Sequence, residues 1–257
     1  MTMIPHLIDE SISDSIHQLF TGSISLLFIE DDPQMSDLLC DEFFRSTLFT
    51  KTKVDTFGKA KSAIQSKSLY HCWILDLTLE EHNDGMKLLK YNPAFPYCVV
   101  TSSSISLYDA TCAIRKGAFG AYDKNTVIAG NTDEYIKEIC ALSSLSFLLH
   151  AQKPERFEMF TLLLDHFICT QEEWSRIYCR NERSVRNICE EYSGLTARQF
   201  LYLFHVLTAT LYSDCIMEDT VDSGDIPVHL NEQKRLYREC ASYVLSRFDR
   251  VYKPKLL

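Results

Sequence analysis

Apolar residues fall in short unbroken runs through the first half of this chain and in helical stripes through the second. Leu26-Leu27-Phe28-Ile29 runs straight into Glu30-Asp31-Asp32-Pro33, and Cys72-Trp73-Ile74-Leu75 ends on Asp76. Val99-Val100 ends in Thr101. After the helix-like Leu107 to Lys116 and the turn Gly117-Ala118-Phe119-Gly120, Ala121-Tyr122-Asp123 ends in Lys124. Runs of this kind, bounded by polar residues and alternating with helical periodicity, predict parallel strands buried on both faces, with ligands expected at their carboxyl ends. The predicted fold is α/β, a doubly wound parallel sheet, followed by an all-α half. The helix after the Asp76 strand should be stubby, because Asn92-Pro93 cuts a helix that begins near Gly85.

Ahead of the first strand, Leu7, Ile8, Ile12, Ile16, Leu19 and Phe20 recur at helical spacing with Asp9, Glu10, Ser13 and Asp14 between them. This amphipathic helix should pack on the rest of the chain or on a second copy, with docking to a separate partner as the alternative. Tyr135 to Leu149 reads as a largely apolar helix, and Gln152 to Arg156, with Pro154, as a break. The domain reading is residues 1–22 for the leading helix, 23–145 for the α/β domain and 146–257 for the helical one. Within the last, Phe157 to Cys169 is helix-like. Thr170 can cap a following helix bearing Trp174, Ile177 and Tyr178, which stops near Cys179. Asn181 suits the N-cap of a helix carrying Val185, Ile188, Cys189 and Tyr192 inward, closed by Gly194. Thr196 caps a long helix with Phe200, Leu203, Phe204, Leu207 and Leu211 inward. Helix, tight turn, helix, glycine and long helix form a helix-turn-helix layout.

With 257 residues, 46% hydrophobic and 24% charged, the chain can bury two ordinary cores. No apolar run approaches the ~18 residues of a membrane span, and the first twenty residues have no basic region before an apolar core, so neither a membrane anchor nor a secretory signal is expected. Ten cysteines are scattered without a C-x-x-C pair, as in a reduced, cytoplasmic protein. His166 and Cys169 share a helix face but lack a second ligand pair, and read as packing.

The strand ends carry the chemistry. Carboxylates gathered within ~4 to 6 Å raise one another's pKa, so keeping them ionised calls for a cation, and hard oxygen ligands select magnesium or a similar ion. A carboxylate beside that ion, with a lysine to neutralise charge and a hydroxyl to donate, is fitted to accept a phosphoryl group. The product would be an acyl phosphate on Asp76.

In order and spacing these residues resemble the receiver domain of two-component response regulators, over roughly residues 24 to 142. The resemblance implies a flavodoxin-like five-stranded sheet and assigns roles. Glu30 and Asp31 match the acidic pair, Asp31 as a direct metal ligand and Glu30 mostly through water. Asp76 matches the phosphoacceptor, Thr78 would offer its backbone carbonyl to Mg2+, Thr101 is the switch hydroxyl and Lys124 the phosphate-binding lysine. Asp84-Gly85 resembles the turn after the third strand. The chain departs from the family in two places. Asn125 stands where the family has proline after its lysine. The position of the family's coupling aromatic is taken by Ala121, with Tyr122 one residue late and so on the other side of the strand.

Asn181 to Phe200, with Ser193-Gly194-Leu195-Thr196 at its heart, resembles the recognition-helix region of AraC-type transcription regulators. The resemblance places Arg183, Arg186 and Asn187 outward against base edges, where arginine can bond guanine bidentately and asparagine adenine; Cys179 replaces the family's turn glycine. The net charge of −9 opposes nucleic-acid binding, but residues 176–198 carry five Arg against three Glu and residues 234–257 seven basic against two acidic side chains. Two functions follow. In one, a histidine kinase or phosphotransfer protein phosphorylates Asp76, the far face of the receiver forms a homodimer or releases the helical domain, and that domain binds DNA. In the other, the same receiver governs a helical module that binds a protein partner, such as a sigma-factor regulator or kinase, and no DNA, with control by phosphorylation or without it both open. No enzyme activity is expected beyond the receiver's own phosphoryl transfer and hydrolysis, since no nucleophile-base pair or phosphate-cradling loop follows residue 145.

Overall fold

The computed structural model describes residues 14, 16–18, 20–66, 69–81, 84–91, 97–166 and 168–216. The apolar runs form the central strands of one parallel sheet: β1 (Ile24–Ile29), β3 (Cys72–Asp76) and β4 (Cys98–Ser102), the last two buried throughout. β2 (Phe49–Val54) and β5 (Gly120–Asp123) are the edges, in the order β2-β1-β3-β4-β5. This is the flavodoxin-like doubly wound order. Its switch point lies between β1 and β3, where the crossover direction reverses and a crevice opens at the carboxyl ends. Glu30 and Asp76 sit at those two ends.

Two hydrophobic layers cover the sheet. Leu27, Ile29, Trp73, Leu75 and Val100 pack under α2 (Phe57–Gln65), α3 (Asp84–Leu88) and α4 (Leu107–Arg115). Leu26, Phe28, Ile74 and Val99 pack under α1 (Pro33–Asp37), its π-helical continuation Leu38–Phe43, and α5 (Thr132–Leu148). Among the described residues the third helix is stubby as expected, running on as the 3-10 turn Leu89–Tyr91. Of the expected leading helix, residues 14, 16–18 and 20 are helical, and the remainder lies outside the described residues. Ile16 and Phe20 are buried, Phe20 edge-on to Phe147 at 5.7 Å, so this segment packs on the chain's own core.

The second layer does not stop at α5. From Leu142 to Leu148 every residue of that helix is buried, serines included, because the sheet covers one side and the last helix the other. A helix covered all round is a core element. It runs through the boundary expected at 145/146. The chain then turns at His150 and Ala151, with φ of 55° and 50°, into α6 (Phe157–Asp165), α7 (Gln171–Ile177), α8 (Glu182–Ser193) and α9 (Ala197–Ile216). α6 ends at Asp165, short of the expected Cys169. His166 is extended, and Glu173 takes the N–H of Cys169 at 3.0 Å while Thr170 caps α7, so hydrogen bonding to the next helix replaces another turn of α6. Trp174 lies between Phe160 and Phe200 and donates to the Met159 carbonyl at 2.9 Å. These aromatics belong to the same continuous core as Phe28 and Tyr135.

Candidate functional site

Strand alternation decides which acids share the crevice. Glu30 follows Phe28 and Asp76 follows Ile74 by two residues, so both carboxyls emerge on the α5 side of the sheet. Thr101 is the register partner of Asp76, and Tyr122 of Thr101. Carboxylate oxygens of Glu30, Asp31 and Asp76 lie within 4.8 Å of one another, the first and last buried and Asp31 open to solvent. Asp32 turns away to cap α1, accepting from Gln34 N at 2.9 Å.

Lys124 closes the crevice. Its Nζ is 2.5 Å from Asp76 Oδ2, and 2.9 and 2.7 Å from Glu30 Oε1 and Oε2, with all three side chains buried. The lysine is aimed by the one-turn helix Lys124–Thr126, whose start Asp123 caps through Thr126 N at 2.9 Å. Asn125, the residue after Lys124, donates to the Ser103 carbonyl at 2.8 Å and ties this turn to the loop after β4. The other Asp76 oxygen, Oδ1, accepts from Thr78 N at 2.9 Å.

The electrostatics leave room for more positive charge. Burial pushes the Glu30 carboxyl up to about 7; Lys124 pulls it down less strongly, and Asp76 adds to the rise. Burial disfavours the charged form of Lys124, yet Glu30 and Asp76 together outweigh it and hold the lysine above its ordinary range. Three carboxylates thus face one ammonium. Thr101 Oγ1 is buried without a hydrogen-bond partner.

One residue here was legible only as a turn. A Cβ on Gly85, at the start of α3, would lie 1.9 Å from the Asp76 carbonyl oxygen and 2.8 Å from Leu77 Cα, and the Gly85 N–H bonds the Leu77 carbonyl at 3.0 Å. Helix α3 is seated directly on the backbone that presents Asp76, which only glycine permits. On β5, Ala121 packs with the opposite layer, while Tyr122 stacks edge-on against Tyr135 at 5.1 Å and bonds Glu138 through its hydroxyl.

The second set of predicted residues lies apart from the first, on α8. Asn181 caps this helix through Ser184 N at 2.9 Å, and Gly194 ends it at φ 69°. Thr196 and Gln199 cap α9 reciprocally, side chain to backbone, at 3.3 and 2.9 Å. Val185, Ile188 and Cys189 are buried, which leaves Arg183, Arg186 and Asn187 exposed together on the outer face at i, i+3 and i+4. Arg176, Arg180 and Arg198 are also exposed, as are Glu182, Glu190 and Glu191. The turn between α7 and α8 holds Cys179 at φ 54°, a conformation that favours glycine. Among the described residues, no helix is long and apolar enough to cross a membrane, and the nine cysteines there are all free.

The sequence matches no family model and no curated protein. Solved structures that resemble it include the receiver domain of the Francisella response regulator 1452, at 19% identity and a TM-score of 0.40, over 47% of this chain and 97% of that one. The BeF3-activated N-terminal receiver domain of Klebsiella pneumoniae RstA matches at 19% identity and a TM-score of 0.36, over 44% of this chain and 97% of that one. Full-length FixJ from B. japonicum matches at 16% identity and a TM-score of 0.35, over 73% of this chain and 98% of that one.

Proposed function

We propose that this chain is a cytoplasmic response regulator whose Asp76 accepts a phosphoryl group and whose helical half binds DNA. The observation that carries the first part is the buried contact of Lys124 with both Glu30 and Asp76, beside the solvent-facing Asp31. The donor set fits Mg2+: three carboxylates of hard oxygen chemistry lie close enough for one ion, and against the single ammonium of Lys124 they are two positive charges short of balance. Glu30, Asp31 and Asp76, with the Thr78 carbonyl, would hold that ion, Glu30 mostly through water. When bound, the ion neutralises negative charge on the transferring phosphoryl oxygens.

The chain's own groups supply position and countercharge. An Asp76 oxygen bonds to phosphorus as the bond from phosphorus to the donor breaks, and that electron pair leaves with the donor, whose physiological form is a histidine kinase or phosphotransfer protein. Lys124 holds the phosphoryl charge once it arrives, and Thr101, whose hydroxyl has no other partner, donates to a phosphoryl oxygen. Wild type should take up one phosphate from acetyl phosphate with Mg2+, and Asp76→Asn none. Labelling of Asp76→Asn at the wild-type rate would refute the assignment.

For the helical half, the supporting observation is the exposed face of α8 presenting Arg183, Arg186 and Asn187 after a capped tight turn. Pairing of two chains on activation would set two such helices on one DNA duplex. The net charge of −9 and the exposed glutamates of α8 favour a second reading, in which this face meets a protein. Binding to genomic DNA fragments that weakens steeply with salt separates the two, because affinity for DNA rests on phosphate neutralisation; binding absent at low salt leaves the protein-partner reading.

A further inference from the structure

A row of register neighbours, followed by side-chain contacts to α5, runs from the Asp76 crevice to the helical half. Asp76, Thr101 and Tyr122 are neighbours in register on β3, β4 and β5, with their side chains on one face of the sheet, and adjacent strands lie ~4.8 Å apart. Tyr122 is engaged with α5 twice, through its ring on Tyr135 and its hydroxyl on Glu138. Gly120 makes this possible, since a Cβ there would stand 2.9 Å from Tyr122 Cε2 and 3.0 Å from Glu138 Oε1. The tyrosine and the glutamate are thus tied by a hydrogen bond in a space that the absence of a side chain at Gly120 leaves open. Beyond them α5 continues to Leu148 and carries α9 along its flank.

We propose that Tyr122 and Glu138 are the coupling pair through which the phosphorylation state of Asp76 reaches α5 and then α9, with the helical half docked throughout. The inference rests on the phosphoacceptor reading above. A phosphoryl oxygen on Asp76 gives the buried Thr101 hydroxyl its acceptor, and any movement of Thr101 changes the space beside its register partner Tyr122. A ring that follows pulls on Glu138 through its hydroxyl and on Tyr135 through its edge, and a packed helix responds to a push at one point by shifting as a body. Ala121 faces the other layer and has no group that reaches α5.

The test uses the full chain, with acetyl phosphate and Mg2+ as the probe, in wild type, Tyr122→Phe and Glu138→Gln. Two quantities are read on the same samples: phosphate on Asp76 by intact mass, and amide hydrogen exchange across residues 197–216. Wild type should label and change its exchange in α9 by about 5-fold or more, the lower range of coupling between distinct sites. Tyr122→Phe should label equally and lose most of that change, and Glu138→Gln should lose part of it. Wild type that labels without an α9 response, or variants that label and keep the full response, would overturn the coupling pair alone. Wild type that does not label at all overturns the phosphoacceptor reading and the coupling with it.

Discussion

Gly85→Ala is the sharpest single perturbation of the crevice, because it adds one methyl group and no charge. The new Cβ would start 1.9 Å from the Asp76 carbonyl oxygen and 2.8 Å from Leu77 Cα, both backbone atoms that no rotamer change can move aside. Restoring a separation of 3.0 Å requires the strand end and α3 to part by at least about 1 Å. The hydrogen bond from Gly85 N to the Leu77 carbonyl would stretch with them. Overpacking of this kind costs about 1–3 kcal/mol, so the variant should stay folded and melt a few degrees lower. Its effect on chemistry is larger, since a misplacement of about 1 Å at reacting groups costs on the order of 100-fold in rate. The assay is the initial rate of phosphate incorporation from acetyl phosphate with Mg2+, alongside a thermal melt. Lys87→Ala, an exposed change on the same short helix, should label like wild type. If Gly85→Ala labels within about threefold of wild type, the claim that α3 seats Asp76 by backbone contact is wrong.

Other outcomes follow from local features. Cys179→Gly relieves a left-handed residue in the α7–α8 turn and should raise the stability of the full chain by about 0.5–1 kcal/mol in urea titration, whereas Cys179→Ala should leave it unchanged; a less stable glycine variant would refute this. His71 is buried against Phe147 and its Nδ1 accepts from Ser25 N at 2.9 Å; burial, with His150 adding to it, pulls the ring from 6.5 to about 4. The unfolded chain therefore binds a proton first as pH falls, and stability fully present above pH 6.5 should be lost toward pH 4, by at most about 3 kcal/mol. His71→Asn keeps an acceptor for Ser25 and should flatten that loss, as urea midpoints at pH 7 and pH 4.5 would record; an unchanged loss would exclude His71 as its source. Arg186→Ala should weaken binding to a preferred DNA sequence by about 1–3 kcal/mol and to random DNA far less, and an equal loss on both would reduce Arg186 to a phosphate contact.

Much of this was legible because burial on both faces forces continuous apolar runs, and such runs end where a polar ligand site can begin. β1, β3 and β4 are written that way, and so are the acids behind β1 and β3. β2 is not: Phe49-Thr50-Lys51-Thr52-Lys53-Val54 is an edge strand whose lysines reach Asp37, Asp41 and the Cys40 carbonyl, so its polar residues hide the strand signal. The caps Thr170, Asn181, Gly194 and Thr196 were readable because capping is local chemistry. The reach of Gly85 was not, since it depends on which backbone lies under α3. Nor could the sequence show that Asn125 ties its turn to the Ser103 carbonyl, twenty-two residues away. The all-round burial of α5 from Leu142 to Leu148 escaped for a similar reason: Ser143, Ser144 and Ser146 look like a solvent face until the sheet and α9 cover this part of the helix from both sides.

That burial decides between two ways for the crevice to act on the helical half. Release would separate α9 from α5 and expose part of a core to which Phe200, Leu203, Phe204, Leu207 and Leu211 all belong. Each such side chain loses about 1.5–3 kcal/mol when returned to water, so even two or three of them cost about 3–9 kcal/mol. The polar ties at the end of α9 add to this: Asp214 accepts from Ser46 Oγ at 2.5 Å, faces His17 Nε2 at 3.2 Å, and takes the Arg45 Nε at 3.1 Å on its carbonyl. Against that stands the coupling free energy one modified site ordinarily supplies, about 1–3 kcal/mol. On the proposed phosphoacceptor reading the larger quantity wins, and the helical half is expected to stay on α5 with and without phosphate on Asp76. If the chain is the regulator proposed, it signals by a small displacement within a shared core, and the Tyr122–Glu138 pair lies where that displacement would begin.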